Sequence, residues 1–231
     1  MSFPAGLVVD AVFIGQVAEL VPARPPSAIA KARVDGPLWL GRTGLEGDEQ
    51  ADLAVHGGPE KALHHYAAEH YAVWRRELPE LADRLVPGAF GENISTTGLT
   101  EENLCLGDVL RIGSARVQVA QGRQPCWKLC ARTGQADMAL RFQATGRTGW
   151  YYRVVEEGAL RAGDAIVLEA RPLPDWTLAR LIAARFERHL EPAVARELAE
   201  TEELSASWRK AFARKADPAF VEDTRARLSG G

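Results

Sequence analysis

Glycine punctuation stops near residue 170, and this change constrains the fold more than any other feature of the chain. Most of the 21 glycines lie before that point, between short apolar runs. Glycine in a helix interior costs about 1 kcal/mol relative to alanine, so this spacing disfavours long helices. Short runs bounded by turn residues build strands instead. Residues 8–17, 28–34, 36–40, 115–121, 150–155 and 165–170 read as strands, with Asp35-Gly36 as the turn between the second and third. Residues 104–112 read as two strands meeting at Gly107-Asp108. Within 115–121, Val117 and Val119 share one face and Arg116 and Gln118 the other, the period-two pattern of a half-buried strand. Many short strands of this kind close into a barrel or a strongly bent sheet.

Two helices interrupt the strands. Residues 67–78 place Tyr71, Trp74 and Leu78 at helical spacing, and Pro79 stops them. Residues 135–144 put Met138 and Phe142 on one face, with Gly146 as the stop. After Pro172 and Pro174 the texture turns helical: 176–186 capped by Asp175, then 191–198 and 205–215. Helices this short are marginal alone and must pack on something. The reading is therefore α+β, mainly β: a barrel-like domain over 1–170 with interspersed helices, and a three-helix segment over 175–231 whose last residues, 228–231, fray.

Composition removes several functional classes. A chain of 231 residues, 46% hydrophobic and 26% charged, buries a core without disulfides or structural metal. A net charge of −3 gives no support for general nucleic-acid binding. No apolar run approaches the ~20 residues that span a bilayer. Residues 1–6 hold no basic or apolar signal segment, and three cysteines are an odd number, so a reducing, cytoplasmic setting is expected.

Three segments carry candidate chemistry. In Gly122-Arg123-Gln124-Pro125-Cys126-Trp127-Lys128, Pro125 ends a strand and Cys126 stands at its end between two cations. Cations favour the thiolate, which binds soft metals or attacks electrophiles; a free cysteine is equally a small buried hydrophobe. Cys105 reads as core, and Cys126 with Cys130 falls short of a four-ligand zinc set. The second segment runs from Gly44 to Ala62. Its glycines, including Gly57 and Gly58 after His56, let backbone N–H groups approach an anion, with Lys61 adding charge. It equally reads as a turn-rich connection, and Glu46, Asp48, Glu49 and Asp52 as a solvated acidic face or a divalent-cation site without EF-hand order. The third is Phe90-Gly91-Glu92-Asn93, where Asn93 suits a heterocycle edge or its own turn. His64, His65 and His70 read as capping or packing residues of the first helix.

Taken together these words resemble the MOSC family, named after the C-terminal domain of molybdenum cofactor sulfurase, in its stand-alone YiiM-type branch. The words are Pro26-Ser27-Ala28-Ile29-Ala30-Lys31, Gly44-Leu45-Glu46-Gly47-Asp48-Glu49-Gln50, Val55-His56-Gly57-Gly58-Pro59, Phe90-Gly91-Glu92-Asn93, Leu106-Gly107-Asp108, Gln124-Pro125-Cys126-Trp127-Lys128 and Thr148-Gly149-Trp150-Tyr151. Each alone is weak; seven in order are specific. The resemblance implies a MOSC-type β-barrel-like fold that binds the molybdenum cofactor, molybdopterin. It makes Cys126 the sulfur ligand to molybdenum and the catalytic centre. Lys31, Lys61 and Arg123 become candidate cations for the pterin phosphate, Gly57 and Gly58 candidate backbone donors, His56, Asn93 and Gln124 candidate readers of pterin edges or oxo groups, and Lys128 a further cofactor-binding candidate.

The implied activity is reduction of N–OH to N–H in N-hydroxylated bases and amines, as in N-hydroxylaminopurine detoxification. With three cysteines and no flavin or nicotinamide fingerprint, the electrons must come from a separate reductase. The expected partners are that reductase and a small-molecule N-hydroxylated substrate, without nucleic acid or membrane, and a homodimer is possible through the exposed faces of the helices. Two other roles stay open on these residues: a sulfur carrier with a persulfide on Cys126, and a module that binds or delivers cofactor without turnover.

Overall fold

The computed structural model describes residues 3–52 and 57–230. Among them the strands are β1 (Ala11–Ile14), β2 (Ala32–Val34), β3 (Leu38–Gly41), β4 (Gly44–Leu45), β5 (Leu63–Ala67), β6 (Ile94–Thr96), β7 (Val109–Ile112), β8 (Ala115–Gly122), β9 (Trp150–Glu156), β10 (Gly158–Leu160) and β11 (Ile166–Ala170). The helices are α1 (Glu69–Glu77), α2 (Trp127–Thr133), α3 (Met138–Thr145), α4 (Leu178–Phe186), α5 (Pro192–Glu200), α6 (Ala206–Lys215) and α7 (Arg225–Ser229).

Eight strands form one sheet in the order β11-β7-β8-β9-β5-β6-β1-β2, curled into a half-barrel, and β10-β3-β4 form a smaller one. Neighbours in the large sheet run antiparallel except β5 and β6. That parallel pair needs a crossover, which α1 and the loop after it provide. The fold is therefore α+β with helices on the half-barrel and at the C-terminus.

Strand β8 shows why the pattern folds this way. Ala115, Val117 and Val119 are buried while Arg116 and Gln118 are partly exposed. From Ala120 to Gly122 both faces are buried, because Ile182 of α4 and Trp208 of α6 pack on this end. The C-terminal helices thus share the sheet's core: Leu181, Ile182, Trp208 and Phe212 belong to the same buried cluster as Val117, Val119 and Trp150. A second, aromatic cluster joins Tyr66, Tyr71, Trp74, Phe90 and Phe142 beneath α1 and α3. Trp74 and Phe142 stack at 5.3 Å.

Several expectations need correction. In 104–112 the ladder with β8 begins at Val109; Leu104 and Leu106 turn instead to the C-terminal segment, through Leu178 N to Leu104 O and Leu106 N to Trp176 O, each 2.8 Å. Of 28–34 only Ala32–Val34 is strand. Asp35-Gly36 joins no hairpin, since β2 pairs with β1 and β3 with β4 and β10. Thr177 rather than Asp175 caps α4, its hydroxyl accepting from Arg180 N at 3.2 Å. Of residues 228–231, expected to fray, Leu228 and Ser229 belong to α7, which is anchored through Arg227, Gly230 caps it, and Gly231 lies outside the described residues. His64 and His65 lie on β5, not at a helix start. No helix among the described residues is long and apolar enough to cross a membrane.

Candidate functional site

The end of β8 builds the site. Val119 lies opposite Tyr152 but Gln121 opposite Tyr151, so Ala120 is an extra residue on β8. Bulges re-aim the side chains that follow them. The carbonyl of Ala120, freed from the ladder, accepts from Ser205 N at 2.9 Å. Strand β8 ends at Gly122, three residues before Pro125 and not at it; beyond it Arg123 N donates to Gly149 O at 2.9 Å, and Cys126 sits extended just before α2. Gly149 carries φ +74° and has no room for a side chain: a Cβ would press on His65 O and lie 3.1 Å from His64 Nε2.

Cys126 is half-buried on the border of two adjoining clefts. The inner cleft encloses about 570 Å³ of space, open solvent included. Its walls bring together Lys31, Lys61, Asn93, Arg123, Cys126 and Lys128, residues that arrive from four separate segments of the chain. Facing these four cations are two carboxylates, Asp48 and Glu49, so the cleft carries an excess of positive charge.

The polar groups of this cleft are tightly assigned. Asp48 is the hub. One oxygen accepts from Gly15 N at 2.8 Å and pairs with Lys31 Nζ; the other accepts from Asn93 Nδ2 at 2.8 Å. Asn93 in turn accepts from His64 N at 3.1 Å and donates to Phe13 O at 3.3 Å, so its amide orients Asp48 and through it Lys31. Burial pushes Lys31 below the usual lysine range, and Asp48 opposes the shift. Lys61 is pushed down as well, again by burial. Lys128 Nζ donates to Pro26 O at 3.2 Å.

Two groups are left with capacity to spare. Arg123 is 6% exposed, yet its Nη1 has no hydrogen-bond partner among the described residues. A buried cation with an idle donor is costly unless an anion fills the place. His64 stacks on Tyr151 at 4.8 Å and its Nδ1 bonds Gly91 O at 3.1 Å. A carbonyl only accepts, so Nδ1 carries the proton. Burial, with Arg123 nearby, holds the imidazole well below its ordinary range and therefore neutral. Nε2 then presents a lone pair, and it too has no partner among the described residues.

The loop before Asn93 is braced from below. Glu92 is fully buried and accepts from Tyr71 OH at 2.5 Å, Gly88 N at 2.6 Å and Phe90 N at 3.2 Å. Burial raises its pKa against these bonds. This fixes Gly91, whose carbonyl sets the His64 ring.

The structure thus gathers six of the ten residues singled out from sequence into one cleft. Gln124 lies in the adjoining cleft with Cys126. Gly57 and Gly58 flank the turn that carries Lys61, Gly58 O accepting from Lys61 N at 3.0 Å, and are not among the residues lining either cleft. His56 lies outside the described residues. Two members of the acidic run are spent on structure: besides Asp48, Glu49 accepts from Val17 N at 2.6 Å. Sequence reasoning missed His64 and Tyr151 as cleft residues. Tyr151 stood in the last of the motif words, but only the pairing of β5 with β9, which sets His64 opposite Tyr151, brings the two together.

Two family models match the chain. The MOSC domain family matches residues 52–167, and the YiiM-like, 3-alpha helix domain family matches 176–215. Protein YiiM of Escherichia coli (strain K12) is 42% identical over 219 residues, 95% of this chain and 97% of that protein. The crystal structure of YiiM from Escherichia coli superposes with a TM-score of 0.82 at 36% identity, covering 97% of this chain and 99% of that one. A protein named Reductase from Gibberella moniliformis (strain M3125 / FGSC 7600) is 42% identical over 163 residues, 69% of this chain but 29% of its own length.

Proposed function

The chain belongs to the MOSC domain family, and on that premise we propose that it is a molybdenum cofactor-dependent reductase of N-hydroxylated bases and amines, fed by a separate electron donor. The observation that carries this reading is the idle, buried Nη1 of Arg123 in a cationic cleft that ends at the Cys126 thiol. The donor set fits the group. An anionic phosphate satisfies Arg123, and a thiolate is a soft ligand suited to a metal that already holds sulfur. The relative named Reductase supports redox chemistry over simple carriage.

The cofactor, when bound, supplies two-electron chemistry at molybdenum. Everything else falls to the protein. Arg123, Lys61 and Lys128 balance the phosphate charge. Lys31, held by Asp48, keeps a proton at Nζ inside the cleft. His64 Nε2 accepts a hydrogen bond from a pterin N–H, a role open to it because the ring is neutral. Cys126 provides the sulfur ligand. The overall change is R–NHOH + 2e⁻ + 2H⁺ → R–NH₂ + H₂O, and both electrons enter from outside the chain.

The decisive experiment is to purify the protein with its native content and measure molybdenum, pterin and cyanide-labile sulfur per chain. Amine formation from N-hydroxylaminopurine is then followed with NADPH alone and with reduced viologen. Stoichiometric molybdenum and pterin, with turnover on viologen and none on NADPH alone, is the expected result. Cyanide-labile sulfur on Cys126 without molybdenum refutes the reading in favour of a sulfur carrier.

A further inference from the structure

The outer cleft shares Lys61, Cys126 and Tyr151 with the inner one and encloses about 1100 Å³, open solvent included. Its other walls are unlike those of a phosphate site. Gln121 and Gln124 come from the end of β8 and the loop after it, Trp127 from α2, Trp208 from α6 and Arg227 from α7.

The tail of the chain closes this cleft. Arg227 Nη1 donates to Pro125 O at 2.6 Å and Nη2 to Gln143 Oε1 at 2.8 Å. Gln124, with its amide turned to satisfy its neighbours, accepts from Arg227 Nε at 2.8 Å and Arg185 Nη2 at 3.2 Å. Arg24 Nη1 donates to Gly230 O at 2.7 Å. Gly230 lies so close to the Trp127 indole that a Cβ would meet its Cγ at 2.8 Å. Arg185 grips Glu222 through both oxygens, at 2.6 and 2.8 Å. These bonds tie the tail to the segment that carries Cys126.

The lining suits a planar, nitrogen-rich ring. Indole and phenol faces stack on heterocycles, at ~1–3 kcal/mol per base where measured by alanine substitution. Trp208 is 2% exposed, and its Nε1–H has no acceptor among the described residues, a buried donor left unsatisfied in the cleft wall. Gln121 donates from Nε2 to Gly122 O at 3.1 Å and accepts from Ser207 Oγ at 3.2 Å, which leaves its amide one N–H and one lone pair.

We propose that the outer cleft seats the ring of a heterocyclic N-hydroxylated substrate, with its N–OH group directed to the border at Cys126. The C-terminal helices then form a substrate-binding wall as well as a packing layer. This proposal rests on the reductase reading above and assigns the place where its substrate sits.

The test uses the full-length chain in two states. First, N-hydroxylaminopurine is titrated into cofactor-free protein and tryptophan fluorescence is followed. Saturable quenching is expected, weakened about tenfold, or about 1.4 kcal/mol, in Gln121→Leu and Arg227→Ala. Thermal melts identify folded variants; if Arg227→Ala fails to fold, Gln121→Leu decides. Second, in cofactor-loaded protein the same variants raise KM by the same factor, with kcat and molybdenum content unchanged. Equal binding by wild type and variants, or an unchanged KM, overturns the proposal. Absence of turnover in the loaded wild type refutes the reductase reading instead, and the binding titration then decides the cleft by itself.

Discussion

Acid should unfold this protein earlier than its carboxylates alone would require, because β5 buries two neutral histidines. His65 is fully buried between Tyr152 OH at 3.0 Å and Thr96 Oγ1 at 2.7 Å. Burial lowers its pKa from 6.5 to about 3. Below pH 6.5 the unfolded chain binds a proton that the folded chain refuses, so stability is complete at higher pH and is lost as pH falls toward 3. Between about pH 8 and about pH 5 this single residue removes about 2 kcal/mol, with a limiting loss of ~5 kcal/mol. His64 acts in the same direction, because burial first and the nearby Arg123 second disfavour its charged form. A domain with a total stability of about 5–15 kcal/mol feels such a loss plainly. Urea unfolding at a series of pH values measures it. The free energy should fall across this window, and His65→Gln, which keeps hydrogen-bonding groups for Thr96 and Tyr152, should flatten the slope. A flat wild-type profile, or equal slopes in the two proteins, would refute the argument.

Three further outcomes are expected. Replacing Arg123 by Met should stabilise the cofactor-free protein by roughly 1–3 kcal/mol, since an unsatisfied buried donor is removed, while cofactor content collapses; a Met variant that melts lower or keeps its pterin contradicts this. Cys126→Ser should keep the wild-type melting midpoint and lose N–OH reduction, because a hard oxygen replaces a soft sulfur; full turnover after cofactor loading would remove Cys126 from its role. Finally, the proposed division at residue 170 predicts that a chain of residues 1–170 retains cofactor binding, since the inner cleft is lined by residues 27–151. Such a chain should be poorly soluble once the surface under Trp208 and Phe212 is bared. A folded, soluble truncation without pterin refutes the division.

The parts of the fold that the sequence announces are those in which one face is wet. β8 alternates to Val119, α1 spaces Tyr71 and Trp74, and α3 spaces Met138 and Phe142, each beside partly exposed neighbours. Strand β5 has no wet face. All five of its residues are buried, so Leu-His-His-Tyr-Ala shows no period of two and its histidines read as capping or packing residues of the helix that follows. The 104–112 run fails for a different reason. Its apolar residues are core as expected, but the backbone partners of Leu104 and Leu106 lie some seventy residues away, beyond any local pattern.

The same contrast decides how much of the site could be read. Cys126 and its flanking cations announce themselves because proline, cysteine and two basic residues in one short segment are chemically unusual. That Lys31, Lys61 and Asn93 converge on them follows from the order of motif words and not from spacing, since only the folded sheet brings those segments together. Helix α7 lay beyond reach altogether. Residues 222–228, Glu-Asp-Thr-Arg-Ala-Arg-Leu, are mostly charged and look like a solvated end. What holds them is Arg227 on the Pro125 carbonyl and Arg185 on Glu222, directional bonds to groups that composition cannot reveal. Charged residues are poor markers of burial, but an arginine that finds a fixed carbonyl orders a chain end that hydrophobicity alone would leave loose. The outer cleft is therefore a product of tertiary structure: its walls exist only once the last helix has come back to the segment that carries the thiol.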